Sequence, residues 1–388
     1  MNILFIDFES QFTGVAKTFI DAGHSVWNTA PVTEYEKSLG IQNLGTKSWS
    51  QTDYQHLLDA ITANSIDTII NGMPHTAWLR SVVSPNVTYL GPTEEAAGME
   101  LNRFITKNAV SSAAGINVSP TLYEGTTDNI AEGLTTIVER PVIFKPKSAR
   151  HSAIIIKEGD DKTIIDRLTS KAPFDYYLER FIPNMVMEAM ACFTIGNGQW
   201  AIEHTQLMKG DEGKSARSKA MWARDTTYQK LPANAQASFD AFASTWLAWA
   251  ASKGGNYQGV LYGGIDSSNK VWYIECSARP TAPAVIPVLA TAEQYLEGLK
   301  SDPNVLADNS LWENWKSTTI SAVDHLTKYP IHLHEQWGVK TPSNIIKEGY
   351  YYSLGRSQGT ILYHDGDLPS EFLDSLTSEG NFKIVTLE

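Results

Sequence analysis

The first third of the chain alternates short apolar runs with amphipathic stretches. Ile3 to Ile6 is an unbroken apolar run, and Phe12 to Ala22 spaces its apolar residues as one face of a helix. Ser65 to Asn71 contains the apolar core IDTII, Val87 to Leu90 is a third strand candidate, and Leu101 to Ala114 reads as a helix stopped by Gly115. Strands separated by helices predict a parallel, doubly wound sheet over residues 1–115. Sheets of that kind bind ligands beyond the carboxyl ends of their strands.

Near residue 120 the rhythm changes. Pro141 to Lys145 and Ala153 to Lys157 are strand candidates joined by a polar loop, and a helix follows over Lys162 to Ser170. Tyr176 to Phe181, Val186 to Ile195 and Trp200 to Met208 are three more strand candidates in series. Ala233 to Ser252 is a long helix, and Gly259 to Ile265 with Val271 to Cys276 forms a hairpin about the turn Asp266 to Asn269. Consecutive strands without intervening helices predict an α+β segment with antiparallel pairing. A last α+β portion covers 291–388, and the chain contains no repeats.

Composition narrows the class. At 388 residues the chain is too long for one ordinary core, so several domains are expected. Apolar residues at 42% and charged residues at 19% are globular proportions and exclude a disordered chain. A formal charge of −12 makes a nucleic-acid polymer or an anionic membrane a poor partner, though it does not disfavour a small phosphorylated ligand held by local cations. MNILFIDFES reads as a first strand rather than a signal peptide. No apolar run approaches a membrane span. Cys192 and Cys276, each in an apolar strand-like run, read as buried thiols, and the expected location is cytoplasmic.

Familiar phosphate and metal motifs fail. Gly213-Lys214-Ser215 mimics the end of a P-loop, but Met208 occupies the position of its first glycine. There is no G-x-G-x-x-G and no H-E-x-x-H. His332 and His334 share a strand face before Glu335 but have no third ligand nearby.

Three other stretches carry candidate chemistry. Lys145 closes an apolar strand and precedes a loop of small and basic residues, 146–152, a combination of charge and backbone donors suited to a polyphosphate. Glu179 lies on a strand edge ending at Phe181, with Glu188 further on, and such an edge presents backbone groups and carboxylates to a base and a ribose. Period two places Glu275, Ser277 and Arg279 on one strand face, where a carboxylate and a hydroxyl suit Mg²⁺ and an arginine suits a phosphate oxygen. Each stretch alone is also an ordinary charged strand end.

In order and spacing these stretches resemble the ATP-grasp family, in particular the phosphoribosylamine–glycine ligases. The likeness includes Ile66 to Pro74 as a strand ending in Gly-x-Pro, and Gly91-Pro-Thr-Glu-Glu-Ala-Ala97 through Lys107 as the G-P-T-x-x-A-A segment with its helix. It extends to Gly259-Val-Leu-Tyr262 and to Glu275-x-Ser-x-Arg279. The resemblance implies an α/β and α+β multidomain fold: an N-terminal α/β domain at 1–115, a two-lobed ATP-grasp domain at 116–290 divided near 185, and a C-terminal portion at 291–388. It implies ATP and Mg²⁺ as cofactors and small-molecule carboxylate and amine substrates. By the same resemblance Arg103, Lys145, Lys147 and Ser148 contact ATP phosphates, Glu179 and Phe181 hold adenine, and Glu188 holds ribose. Glu275 and Ser277 ligate Mg²⁺, and Arg279, with Lys145, stabilises the transferring phosphoryl or the acyl phosphate.

Departures from the pattern concern the substrates. The family's glycine-rich turn after the first strand is Phe8 to Phe12 here, its G-D-P-E is Thr281 to Ala284, the phosphate loop has no glycine, Arg103 replaces a lysine, and Ser277 an asparagine. An ADP-forming ligase with altered substrates is one expectation. A non-catalytic nucleotide-binding relative and a phosphotransferase on the same fold are the others.

Overall fold

In the computed structural model the run Asn2–Ile6 becomes β1, the middle strand of a sheet whose two faces are both covered. The structure describes residues 1–6, 13–32, 34–45, 50–148, 153–208, 231–279, 290–307, 315–322, 345–353, 357–377 and 382–385. Phe8 to Phe12, Gly213 to Ser215, Thr281 to Ala284, His332, His334, Glu335 and the second half of the loop 146–152 lie outside them.

β2 (Ser25–Asn28), β3 (Ile41–Asn43), β4 (Thr68–Asn71) and β5 (Thr88–Leu90) join β1 in the parallel order β3-β2-β1-β4-β5, interspersed with α1 (Thr13–Asp21), α2 (Glu34–Ser38) and α3 (Gln55–Ala63). Alternate residues of β1 serve opposite layers. Ile3 and Phe5 pack with Phe19 of α1, while Leu4 and Ile6 pack with Leu57 and Ile61 of α3. The doubly wound sheet expected from the apolar runs is present. β2 and β3 were not expected, because three or four residues are too few to display a period.

The helix expected over 101–114 is α5 (Arg103–Ala114), and a separate helix that was not expected, α4 (Glu94–Leu101), precedes it. The break is Asn102, with φ −118° and ψ 66° outside the helical region. Thr93 caps α4, its Oγ1 accepting from Ala96 N at 3.1 Å, and Gly115 ends α5 in the left-handed conformation.

The second sheet contains β6 (Thr121–Thr126), β7 (Val142–Pro146), β8 (Ile154–Ile156) and β9 (Asp175–Arg180) in antiparallel order β6-β9-β7-β8. α6 (Ile130–Thr136) and α7 (Asp161–Thr169) bury Leu134 and Leu168 against Phe144 and Leu178. The third sheet, β11-β10-β12-β13, is built from β10 (Met185–Gly196), β11 (Gln199–Met208), β12 (Tyr257–Asp266) and β13 (Val271–Ser277). The strand candidates read in series at 176–208 therefore divide between two sheets. The chain turns between β9 and β10 at Ile182, whose carbonyl accepts from Met185 N at 3.3 Å, with Pro183 lacking the donor a continuous strand would need.

α8 (Ala233–Ala251) covers one face of the third sheet, packing Phe239, Trp246 and Leu247 against Phe193 and Leu261. α9 (Ala292–Lys300), which starts with a Thr291–Gln294 capping box, returns to the first sheet, where the Tyr295 ring meets Phe19 edge-on at 5.8 Å. A fourth sheet, ordered β15-β16-β14-β17, comprises β14 (Trp315–Ala322), β15 (Ile345–Ser353), β16 (Ser357–Asp365) and β17 (Phe382–Val385), with α10 (Ser370–Thr377) between the last two. Both cysteines are buried free thiols, and burial pushes the Cys276 thiol up to about 12. Among the described residues no helix is long and apolar enough to cross a membrane.

Gly259 shows how tightly the third sheet is packed. A Cβ there would sit against Phe193 Cζ and 2.5 Å from the Ser277 carbonyl oxygen. Gly259→Ala is expected to lower stability by about 1–3 kcal/mol through overpacking, measured as a shift in urea midpoint at unchanged m-value.

Candidate functional site

Four elements, α5, β7, β9 and β13, bring ionised side chains together where the second and third sheets meet. At the centre is Glu179, 2% exposed. Lys107 Nζ from α5 lies 2.7 Å from its Oε1, and Lys145 Nζ from β7 lies 2.8 Å from its Oε2. Lys107 also donates to Thr121 Oγ1 at 2.8 Å, and Lys145 to the Ile274 carbonyl of β13 at 3.3 Å. The Lys145 contact is an ion pair lying off the hydrogen-bonding axis, so Glu179 Oε2 keeps unused acceptor capacity. Two ammonium groups around one carboxylate leave one positive charge in excess in a buried place, an arrangement that favours an anion beside it. Burial pulls the Lys107 ammonium below its usual range, opposed by the Glu179 charge.

Around this centre Arg103 Nη2 lies 3.7 Å from Glu275 Oε2, each side chain about one-fifth exposed. Lys147 bonds Glu124 at 2.9 Å and lies 4.7 Å from the Phe104 ring centroid, and Ser148 pairs by backbone with Asn102 at the α4–α5 break. Arg279 Nε donates to Glu100 Oε1 at 3.0 Å, and the other Glu100 oxygen accepts from Ala278 N at 2.9 Å.

Strand register decides which face each remaining residue serves. Glu188 is paired with Gly264, Met190 with Tyr262 and Cys192 with Val260, while Tyr262 and Val260 are paired on their other side with Glu275 and Ser277. Glu188, Glu275 and Ser277 therefore share the face opposite α8. β13 reaches this arrangement through a bulge. Gly263 pairs Tyr273 and Tyr262 pairs Glu275, so Ile274 is the extra residue. In a regular strand with no bulge, Tyr273 and Glu275 would point the same way. With the bulge Val271 and Tyr273 enter the core beneath α8, and Glu275 faces the site. Two strand spacings and two residues separate Glu188 from Glu275, roughly 12 Å between their Cα atoms. Phe181 is half-buried at the turn between the sheets.

Among the described residues no three His, Cys, Asp or Glu side chains converge as a metal centre. Glu275 and Ser277 offer one carboxylate and one hydroxyl. Mg²⁺ commonly takes one or two carboxylates and completes its shell with substrate phosphates and water, so this pair fits a Mg²⁺ that arrives with a polyphosphate. Asp266 has a different role: hydrogen bonds from Ser268 and Trp272 hold its carboxyl down to about 2 and fix the β12–β13 turn.

The sequence reading missed Lys107, Glu100 and Glu203. For Lys107 a signal was available: it lies four residues after Arg103 on the same helix face. For Glu100 there was only an isolated carboxylate in a run of small and apolar residues. Glu203 is hidden by a second bulge, in β11, where Cys192 pairs His204 and Phe193 pairs Ile202. Its Oε1 accepts from Thr194 Oγ1 and from Gln258 Nε2, and Thr194 and Gln258 continue the row of Glu188, Met190 and Cys192 along the site face.

Several solved structures share this fold. The biotin carboxylase–β-γ-ATP complex from Campylobacter jejuni is similar at TM-score 0.61 and 15% identity, over 99% of this chain and 92% of that one. N5-carboxyaminoimidazole ribonucleotide synthetase from Thermus thermophilus is similar at TM-score 0.64 and 13% identity, over 97% and 96%. An L-amino acid ligase from Bacillus licheniformis is similar at TM-score 0.61 and 13% identity, over 100% and 99%. The sequence matches no family model and no curated protein.

Burial pushes the Glu203 carboxyl up to about 7, against hydrogen bonds from Thr194 and Gln258 that pull it down. A carboxyl whose folded value exceeds its unfolded value stabilises the fold at low pH, and that contribution is lost as pH rises from about 4.5 to about 7. Glu203→Gln, which mimics the protonated form, is expected to remove a pH-dependent loss on the order of 3 kcal/mol between pH 4.5 and 8. Urea unfolding of both proteins across that range measures it.

Proposed function

We propose that the chain is an ATP-dependent ligase that joins a small carboxylate to an amine, forming a C–N bond and releasing ADP and phosphate. The observation that carries this reading is the buried Lys107–Glu179–Lys145 cluster, with its excess positive charge, adjoining the face that bears Glu188, Glu275 and Ser277. In this reading Lys145, Arg103, Lys147 and Ser148 hold the phosphates. Glu179 Oε2 accepts from the adenine amino group while the backbone at Phe181 meets the base edge, and Glu188 accepts from ribose hydroxyls. Glu275 and Ser277 would hold Mg²⁺, which supplies charge neutralisation between phosphate oxygens.

The chemistry follows from those placements. A substrate carboxylate oxygen attacks the γ-phosphorus and ADP leaves with the bridging oxygen. Arg279 stabilises the charge on the acyl phosphate. The amine nitrogen then attacks the acyl carbon, phosphate departs and the nitrogen loses a proton. No side-chain nucleophile is needed, because positioning and fixed charge lower both barriers. The substrates are small molecules and a cytoplasmic setting would supply ATP.

The finer reading is a ligase of the phosphoribosylamine–glycine type with diverged substrates. Phe8, Glu9 and Phe12 bring bulk and negative charge where the family has a glycine-rich turn, and the family's carboxylates after the arginine are absent at Thr281 to Ala284. The second reading, a nucleotide-binding relative without catalysis, is favoured by one contact: Arg103 already neutralises Glu275.

ADP formation, screened across amino acids and small amines with phosphoribosylamine included, separates these readings. Turnover with a defined carboxylate and amine is expected, and nucleotide binding without any turnover would leave only the binding protein. Glu275→Gln should abolish Mg²⁺-dependent turnover with the fold intact, checked by circular dichroism, since it deletes charge and keeps shape. In kcat/KM, glycine with phosphoribosylamine should not exceed the best other pair. A tenfold preference for that pair, about 1.4 kcal/mol, would mean the ordinary purine reaction.

A further inference from the structure

The segment 100–103 touches β13 and the two residues that follow it at two points with opposite polarity. Glu100, at the end of α4, receives Arg279 Nε at 3.0 Å and Ala278 N at 2.9 Å. Arg103, at the start of α5, faces Glu275 at 3.7 Å. Asn102, between them, pairs by backbone with Ser148 of the phosphate loop. The α4–α5 break makes this possible. A continuous helix would place residues 100 and 103 on one face, pointing the same way. The turn at Asn102 instead lets the two charges address different ends of the strand terminus.

The two partners of Glu100 make it more than a tether. Its side chain is 10% exposed, whereas the Arg279 side chain is about one-third exposed. One oxygen is engaged by a backbone N–H that cannot move without displacing the end of β13. The other is engaged by the nitrogen nearest the arginine stem. A carboxylate fixed by backbone on one side and bonded through Nε on the other sets the direction of the guanidinium plane. Ser277, two residues before Arg279, is on the site face, so that plane is set at the edge of the row holding Glu275 and Ser277.

We propose that Glu100 is a positioning residue that aims the Arg279 guanidinium at the terminal phosphoryl group of a bound nucleoside triphosphate. The proposal rests on the nucleotide-site reading above and assigns Glu100 no contact with the ligand. Because Glu100 acts through Arg279, its effect belongs to the phosphate that ATP has and ADP lacks.

The test compares binding of ADP and of a non-hydrolysable ATP analogue, each with Mg²⁺, by isothermal titration calorimetry. The full-length protein, Glu100→Gln, Arg279→Ala and the double variant are measured, with melting temperatures alongside. Gln keeps an acceptor for Ala278 N and removes the charge that orients Arg279. Expected are ADP affinities within about twofold of the unaltered chain, analogue affinity lowered about tenfold in each single variant, and no further loss in the double variant. An equal loss for both nucleotides in Glu100→Gln, or losses that multiply in the double variant, would overturn the positioning role while leaving the nucleotide site standing. Binding of neither nucleotide by the unaltered protein would overturn both. If Glu100→Gln does not fold, Glu100→Asp, which keeps the charge and shortens the reach by one methylene, is measured instead. The same selective loss of the analogue is expected, and equal affinities to the unaltered chain would overturn the role.

Discussion

A carboxylate with almost no access to water has to be neutralised where it stands, and Glu179 is such a group. Its two lysines come from α5 and β7, so one buried charge ties together an N-terminal helix and two strands of the second sheet. Replacing Glu179 leaves two uncompensated ammonium groups inside, which costs far more than an exposed pair contributes. The arrangement over-corrects: two cations face one anion, and the more exposed cation, Lys145, also reaches β13. In the proposed nucleotide site, structure and ligand binding draw on the same excess charge. A polyphosphate beside Lys145 would complete the neutralisation that Glu179 leaves unfinished.

The rest of the site follows from the pleat of one antiparallel sheet. With α8 against one face, every second residue of β10, β12 and β13 is committed to the core, and the intervening ones form the floor of the site. The floor runs in rows: Glu188 with Gly264, then Met190 with Tyr262 and Glu275, then Cys192 with Val260 and Ser277, then Thr194 with Gln258. Two bulges adjust the phase. The one at Ile274 sends Tyr273 inward and Glu275 outward, and the one at Glu203 supplies a buried, readily protonated carboxyl to the far end of the floor. The side chains most exposed to chemistry thus sit on the least movable backbone, as electrostatic preorganisation requires.

Much of this was legible in the chain because it repeats locally. β1, β4 and the paired strands of the second and third sheets show unbroken or alternating apolar runs, and Gly115 marks its helix end. The pattern Glu275, Ser277 on one face is plain period two. What escaped detection has no local period. β2 and β3 are too short to display one. The break at Asn102 lies inside a stretch of good helix formers and is visible only once α4 and α5 are seen to address different partners. Glu203 is the extra residue of a bulge, which alternation cannot place. Lys107 and Glu100 are ordinary charged helix residues until partners 72 and 179 positions away are brought to them.

The division between what the fold supplies and what loops supply also bears on the acceptor. Three solved structures of nearly equal likeness, TM-scores 0.61 to 0.64, bear the names of three different activities. One scaffold that carries several reactions keeps its common half in strands and varies the rest in connections. Here the candidate nucleotide residues occupy ladder positions or helix faces: Lys145 on β7, Glu179 on β9, Glu188 on β10, Glu275 on β13, with Arg103 and Lys107 on α5. The departures at Phe8 to Phe12 and Thr281 to Ala284 come soon after β1 and Arg279 in the sequence and lie outside the described residues. Two other departures, Arg103 and Ser277, sit on α5 and β13 themselves, so the regular elements carry part of the change as well. Arg103 keeps the positive charge of the lysine it replaces and Ser277 keeps an oxygen ligand, so these two exchanges conserve the chemistry of their positions.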